Sequence, residues 1–333
     1  MKVFITGIAG FLGSHLAEHF LREGHQVIGC DSLIGGEVAN VPPGAQFHKT
    51  DIRDRDGMLR LTEGCEVVFH SAATAYEGLS VFSPHLVSDN ILTGSASVFS
   101  AAITNNVKRI IFCSSMARYG AGNPPFTEDQ APKPEDPYGI AKYAAELLLK
   151  NLCEVHGLEY VIAVPHNIIG PKQKYDDPYR NVASIMINLM LQGRQPIIYG
   201  DGKQERCFSY VDDVIYCLKE MVYRDNVLGE VINVGPDEDP VTINELAEVL
   251  AELLDFDLKP VYVPTRPQEV KHATCSADKA RKLLDYRNST PLRIALQKTI
   301  DYVRERQTRP FEYHLGLEIV NHKTPETWVK QLF

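Results

Sequence analysis

The sequence is short of the residues that staple or metallate small proteins. It has seven cysteines in 333 residues: Cys30, Cys65, Cys113, Cys153, Cys207, Cys217 and Cys275. Their number is odd, they are scattered, and no Cys-x-x-Cys pair occurs. That spacing excludes a disulfide framework and a zinc site, and it predicts reduced thiols in a cytoplasmic protein with no metal. Positive charge is also scarce, with Lys+Arg at 34 against 43 Asp+Glu and a net charge of −9. Nucleic-acid binding needs clustered cations against phosphates, so no nucleic-acid partner is expected. No stretch approaches about 18 consecutive apolar residues, and no membrane span is expected. The opening MKVFITGIAGFLGSHLA has the lysine and apolar run of a signal peptide, but three evenly spaced glycines interrupt it. It is not read as a leader.

What remains is an ordinary globular composition, 44% hydrophobic and 23% charged. The length suits two lobes or one large domain. Val3–Thr6, Gln26–Cys30, Gln46–Lys49, Val67–His70, Arg109–Cys113 and Tyr160–Val164 read as short strands. Between them, Phe11–Glu23, Leu86–Asn106 and Pro137–His156 have helical spacing. Strands alternating with helices of this length indicate βαβ units and an α/β, doubly wound parallel sheet. Unbroken apolar runs such as Ile110-Ile111-Phe112 fit strands buried on both faces. The second half is less regular. It predicts helices at Val182–Gln192, Val211–Tyr223, Ile243–Leu254 and Leu292–Arg306, and a short strand at Pro196–Tyr199. From Gln307 to Phe333 the periodicity is weak, the only Trp, Trp328, falls there, and no role is assigned.

Thr6-Gly7-Ile8-Ala9-Gly10-Phe11-Leu12-Gly13 lies between the first strand and the first helix. Gly7 permits a tight turn, Gly10 lets backbone approach a pyrophosphate, and Gly13 allows close helix–strand packing. The helix start then offers free N–H groups and a positive dipole end. Asp31 ends the second strand. A carboxylate there accepts hydrogen bonds from ribose hydroxyls and repels a 2′-phosphate, so the expected ligand is NAD rather than NADP.

Tyr138 and Lys142 stand at i and i+4 of a predicted helix and share one face. A phenol is a poor base at neutral pH, and a neighbouring cation favours the phenolate. Such a tyrosine removes a proton from a sugar hydroxyl as the carbon is oxidised. Ser114-Ser115 follow a buried strand at the carboxyl edge of the sheet, where ligands of parallel α/β proteins bind.

Together these residues resemble the extended short-chain dehydrogenase/reductase family, in its nucleotide-sugar epimerase/dehydratase branch. The resemblance runs from Met1 to about Arg306. It implies a Rossmann-like domain over residues 1–165, with parts of 205–235 returning to it. A smaller mixed α/β substrate domain would cover 166–306, followed by a tail, 307–333. It further implies that Ser115, Tyr138 and Lys142 are catalytic. Gly7, Gly10, Phe11, Leu12, Gly13, Asp31, Asp51, Ile52, Ser71, Ala72, Ala73, Thr74, Asn90 and Pro165 would hold NAD together with Tyr138 and Lys142. In this picture Asp51-Ile52 contacts adenine, and Ser71–Thr74 lines the nicotinamide side. Asn167, Asn181 and Tyr199 would meet the substrate with Ser115. Arg206 and Arg266 would clamp its diphosphate, since a guanidinium fork suits phosphate oxygens. Glu269 would hold its ribose. Cys207, Val164 and Glu269 depart from the residues common at those positions. Asp212 and Asp213 are expected to cap a helix rather than touch substrate.

Members of the branch oxidise the sugar at C4 and differ in the later steps. A 4,6-dehydratase carries an Asp-Glu pair directly after the active-site Ser, and a decarboxylase a Glu at the second of those positions. Here the two are Met116 and Ala117, which move no protons. The remaining chemistry is C4 epimerisation: oxidation, rotation of the 4-keto sugar and reduction from the other face. A UDP-hexose, UDP-N-acetylhexosamine or UDP-hexuronic acid is the expected substrate, with another dehydratase or epimerase as the alternative and a non-catalytic dinucleotide sensor as a third. Ala273 would leave room for an N-acetyl group. Arg180 or Lys174 would meet a uronate carboxylate, or else be solvated loop residues. The resemblance also implies a homodimer paired through Leu86–Asn106 and Tyr138–His156.

Overall fold

A computed structural model of the protein describes residues 1–120 and 122–333. Seven parallel strands form its centre: β1 (Lys2–Thr6), β2 (Gln26–Asp31), β3 (Gln46–Lys49), β4 (Val67–His70), β5 (Arg109–Cys113), β6 (Glu159–Pro165) and β7 (Val231–Val234). Their spatial order is β7-β6-β5-β4-β1-β2-β3. The central strands carry apolar residues toward both faces, as burial on two sides requires. Val3, Ile5, Phe69 and Ile111 enter one core, where helices Phe11–Arg22 and Val211–Tyr223 pack. Phe4, Val68, Ile110 and Phe112 enter the other, under helices built from Gly94–Thr104 and Pro137–His156. The strand order reverses between β1 and β4. Loops on either side of that point diverge and leave a crevice at the carboxyl ends.

Local signals set the element ends. Helix Pro137–His156 starts with Pro at its first position, and its cap Asp136 accepts a hydrogen bond from Gly139 N at 2.8 Å. It stops at Gly157, whose φ is +73°. The helix expected over Leu86–Asn106 runs from Pro84 to Thr104, with a π-helical turn at Asp89–Thr93. It is the one described helix long and apolar enough to cross a bilayer. Here it packs within the fold, with Val98, Phe99, Ala101 and Ala102 buried. Asp212 and Asp213 are not caps: Tyr210 occupies that position, and the two carboxylates lie in the first helical turn, where the dipole favours them. Asp213 also accepts from Thr290 N at 3.2 Å.

β7 was not evident in the sequence, and it completes the sheet by pairing with β6. The segment between β6 and β7 leaves the sheet and carries helix Val182–Leu191 and the short strand Ile197–Tyr199. Strand Glu205–Arg206 lies between Val241–Thr242 and His272–Ala273, which puts Arg206 beside Ala273 in register. The tail is an ordered part of the protein. Leu315, Trp328 and Phe333 join Tyr76, Leu79, Phe82 and Tyr179 in a third apolar cluster. The Glu318 carboxylate accepts from His85 N and Leu86 N, at 2.9 and 2.8 Å, and so caps helix Pro84–Thr104 from outside. All seven thiols are free and buried.

Candidate active site

One large cavity opens along the carboxyl ends of the strands and reaches into the second lobe. All the candidate residues named above line it except Asp51 and Lys174. The Asp51 carboxylate is taken up by Arg53, 2.7 Å from its guanidinium, which also pairs with Asp89 at 2.7 Å. Ile52 alone of that pair faces the cavity.

The glycine turn is built for close approach. Gly7 has φ +74°, and a Cβ on it would lie 3.0 Å from Ala72 Cα. A Cβ on Gly13 would collide with the Gly7 carbonyl, so the helix can sit this close to the turn only with glycine there. Helix Phe11–Arg22 begins at Gly10 with no side chain capping it, leaving its first N–H groups for a ligand. Asp31 Oδ2 accepts from Ala9 N at 3.1 Å and Oδ1 from Leu33 N at 2.8 Å. These two bonds fix the carboxylate and leave lone pairs facing the cavity. Burial raises its pKa, which the backbone bonds partly offset. A Cβ on Gly36 would crowd Asp31 Oδ2 at 2.8 Å, so that glycine keeps the carboxylate accessible. This cradle fits a dinucleotide with a free ribose diol.

Below the turn, His70 is fully buried between Thr6 Oγ1 (2.8 Å) and Ser95 Oγ (3.0 Å). Burial pushes its pKa down to about 3, so it is a neutral structural bridge. Thr6 Oγ1 also receives Ala72 N at 3.1 Å, which holds the Ser71–Thr74 wall in place. Asn90 lies in the π turn, and that widened turn brings its side chain to the cavity wall.

At the Tyr138 end, Ser115 caps the short turn Met116–Arg118, its Oγ accepting from Ala117 N at 3.2 Å, and its hydroxyl lies close enough to Tyr138 to favour the phenolate. Burial raises the Tyr138 pKa, as do the charges of Glu77 and Asp136, whereas Ser115 and Arg180 lower it. Lys142 was expected to act on this phenol directly. Its ammonium instead donates to the Cys113 carbonyl at 2.8 Å and lies over the Phe112 ring. Burial brings its pKa down to about 8. Lys142 is therefore a fixed, easily neutralised cation in the floor of the cavity, one helical turn beyond the tyrosine.

At the far end, Arg266 donates to Glu269 at 2.7 and 2.9 Å, and Arg206 approaches the same carboxylate at 3.4 Å. Glu269 thus holds two guanidiniums side by side. Arg266 also stacks on the Tyr199 ring, 4.5 Å from its centroid. Asn181 spends its carbonyl oxygen capping helix Val182–Leu191, bonding Ala183 N at 2.9 Å. Asn167 donates to Cys207 O at 3.0 Å. Neither Lys174 nor Arg180 is a solvated loop residue: Lys174 pairs with Asp176 at 3.0 Å, and Arg180 stacks on Tyr76 at 4.8 Å.

Two features of the site had no signal in the sequence. Glu77 projects into the cavity beside Tyr138, and the tail supplies part of the wall through Phe333.

Residues 3–235 match the NAD dependent epimerase/dehydratase family. A UDP-glucose 4-epimerase of Thermotoga maritima, solved with UDP-glucose, superposes with a TM-score of 0.88 at 33% identity, over 92% of this chain and 99% of that one. A UDP-N-acetylglucosamine 4-epimerase of Methanobrevibacter ruminantium gives 0.86 at 31% identity, over 92% and 99%. A UDP-N-acetyl-alpha-D-glucosaminuronate decarboxylase of Bacillus cytotoxicus is 31% identical over 91% of this chain and 98% of its own. The chain belongs to the NAD-dependent epimerase/dehydratase family, and its cofactor is NAD.

Asp31→Ala is expected to weaken NAD binding about tenfold, the loss of one or two hydrogen bonds to a charged acceptor. It should also narrow the preference for NAD over NADP. Titrating both dinucleotides into stripped protein by calorimetry checks both effects.

Proposed function

We propose that the protein is a nucleotide-sugar C4 epimerase acting on a UDP-linked sugar. The observation that carries this reading is the wall beside the base. Ser115 and Tyr138 form the proton-handling pair, and the next two residues, Met116 and Ala117, line the same cavity without an ionisable group. Tyr138 with Ser115 can shuttle a proton at one carbon. The site lacks, at those positions, the second acid that elimination or decarboxylation requires.

The bound dinucleotide supplies the reversible two-electron chemistry at the sugar carbon. Tyr138 takes the proton of the C4 hydroxyl and returns it, while Ser115 holds the same oxygen in line. Arg206 and Arg266 anchor the diphosphate with two forked cations, and Glu269 keeps their heads together. Anchoring at the diphosphate leaves the sugar free to turn and present either face. Ala273 adds a small wall residue there, next to Arg206.

The test is product analysis. NAD-loaded protein incubated with UDP-glucose, UDP-galactose and their N-acetyl analogues is expected to interconvert a C4 pair without change of mass. A product lighter by one water would instead show a dehydratase, and no conversion of any sugar would defeat the reading. The exposed apolar residues Leu92, Ile140 and Leu147 on helices Pro84–Thr104 and Pro137–His156 support a dimer through that face. Light scattering after size exclusion is expected to give twice the 37.3 kDa chain mass.

A further inference from the structure

Tyr138 marks where the reacting carbon must sit, and Arg206 with Arg266 marks where the diphosphate must sit. Between them stands Glu77, the first residue of the short helix Glu77–Ser80. No motif points to it. Its side chain extends into the cavity, accessible from the cavity although protein surrounds it on every side. Asp136, Arg206, Glu269 and Arg266 all act on it through their charges. In return, its charge is the strongest influence on Tyr138 after burial. A group that feels the two arginines and is felt by the tyrosine lies beside any sugar that spans them.

The helix that carries it is well fixed. Ser80 Oγ donates to the Glu77 carbonyl at 2.6 Å and approaches Asp136 Oδ1 at 3.4 Å. Leu79 is buried in the apolar cluster that contains Trp328. A Cβ on Gly78 would touch both Arg266 and Trp328, so the helix backbone rests directly on the diphosphate end.

Of the two cations expected to receive a uronate carboxylate, one is committed elsewhere and the other is shared among acidic neighbours. Lys174 is held by Asp176, 3.0 Å away. Arg180 lies over Tyr76, approaches Asp177 at 3.9 Å and lines the cavity, where its charge acts on both Asp31 and Tyr138. Met116 and Ala117 offer no polar group. A sugar carboxylate beside Tyr138 would therefore face two carboxyls, Glu77 and Asp136, against the single cation Arg180, which Asp177 and Asp31 already oppose.

We propose that Glu77 is a specificity-determining residue that touches the sugar, hydrogen-bonds its hydroxyls and excludes sugars carrying a carboxylate. The proposal rests on the nucleotide-sugar reading and narrows it to hexoses and N-acetylhexosamines. Like charges brought together in one cavity repel, whereas a carboxyl facing hydroxyls accepts or donates as its protonation allows. Burial, with Asp136 and Glu269 opposing Arg206 and Arg266, pushes the Glu77 carboxyl up to about 7. Below that pH it is neutral and the repulsion fades. Above it the carboxylate forms and discrimination sharpens, while the uronate itself stays ionised throughout.

The experiment measures Kd for UDP-glucose, UDP-N-acetylglucosamine and UDP-glucuronate on NAD-loaded wild type, Glu77→Gln and Glu77→Ala, at pH 6 and pH 8. Wild type is expected to prefer the neutral sugars, more strongly at pH 8. Both variants should shrink that preference by about tenfold and remove its pH dependence. Thermal unfolding of each variant confirms that it is folded, and agreement between the two variants separates lost charge from lost shape. A neutral-to-uronate ratio unchanged in both variants, or equal wild-type affinity for the two classes, overturns the role of Glu77 alone. Failure of wild type to bind any of the three overturns the nucleotide-sugar reading, and this proposal with it.

Discussion

Tyr138→Phe is expected to lower kcat by about 10²–10⁴-fold, the usual contribution of a positioned general base. KM should change little and the fold should survive. The ring packs against Val87, Ile91 and Ala141, contacts that phenylalanine keeps. Only the phenol oxygen, beside Ser115, is lost. Burial and the charges of Glu77 and Asp136 hold that phenol above its ordinary range, so the protein alone leaves it protonated at neutral pH. Base chemistry at Tyr138 therefore requires further positive charge beside the ring, which an oxidised nicotinamide would supply when bound, and the rate should climb with pH as the phenolate forms. Turnover of a C4 pair by the NAD-loaded variant, followed across pH 6–9, checks this. Full turnover by Tyr138→Phe would show that another group handles the proton. Ser115→Ala should cost less, because it removes a partner of the reacting oxygen rather than the base.

Much of this site is legible in the sequence because its parts are local. Gly7, Gly10 and Gly13 report a turn that glycine alone allows. Asp31 ends a strand next to it, and Tyr138 and Lys142 share a helix face whose Pro137 start and Gly157 stop are written in the chain. Where partners come from distant segments, sequence loses its hold. Lys142 was expected to serve Tyr138, but the Cys113 carbonyl on β5 claims its ammonium. Glu269, expected to hold a ribose, also bridges two arginines, one of them 63 residues away, which spacing does not reveal. The four residues of β7 have no period of their own, and only β6 makes them a strand. The π turn that presents Asn90 is an insertion within a helical pattern, so spacing alone does not reveal it. Glu77 belongs to no motif, and its place is set by the packing of Leu79.

The tail was illegible for a related reason: single anchors at irregular intervals hold it, rather than a periodic face. That arrangement makes one of those anchors decisive. Trp328→Ala is expected to cost about 3–5 kcal/mol, the range for removing a buried Trp or Phe side chain. The indole is 3% exposed and stands edge-on to Phe82 and Tyr179, with centroids 5.9 and 5.2 Å away. It also abuts Gly78, where the Glu77 helix meets Arg266. Thr327, its neighbour, bonds the Tyr199 hydroxyl, and Tyr199 carries the Arg266 guanidinium on its ring. Loosening Trp328 should thus loosen both the Glu77 helix and the diphosphate clamp, while the glycine turn and Asp31, on the other side of the cavity, stay fixed. The expected signature is a lower denaturant midpoint together with a sugar-nucleotide affinity that falls much more than the NAD affinity. Equal losses for both ligands would mean global destabilisation, and no loss of either would make the tail a passive strap. Because Trp328 is the only tryptophan, its fluorescence in the wild-type protein reports on the same wall. A change on adding a UDP-sugar, larger than any on adding NAD, would place the tail at the substrate end in solution.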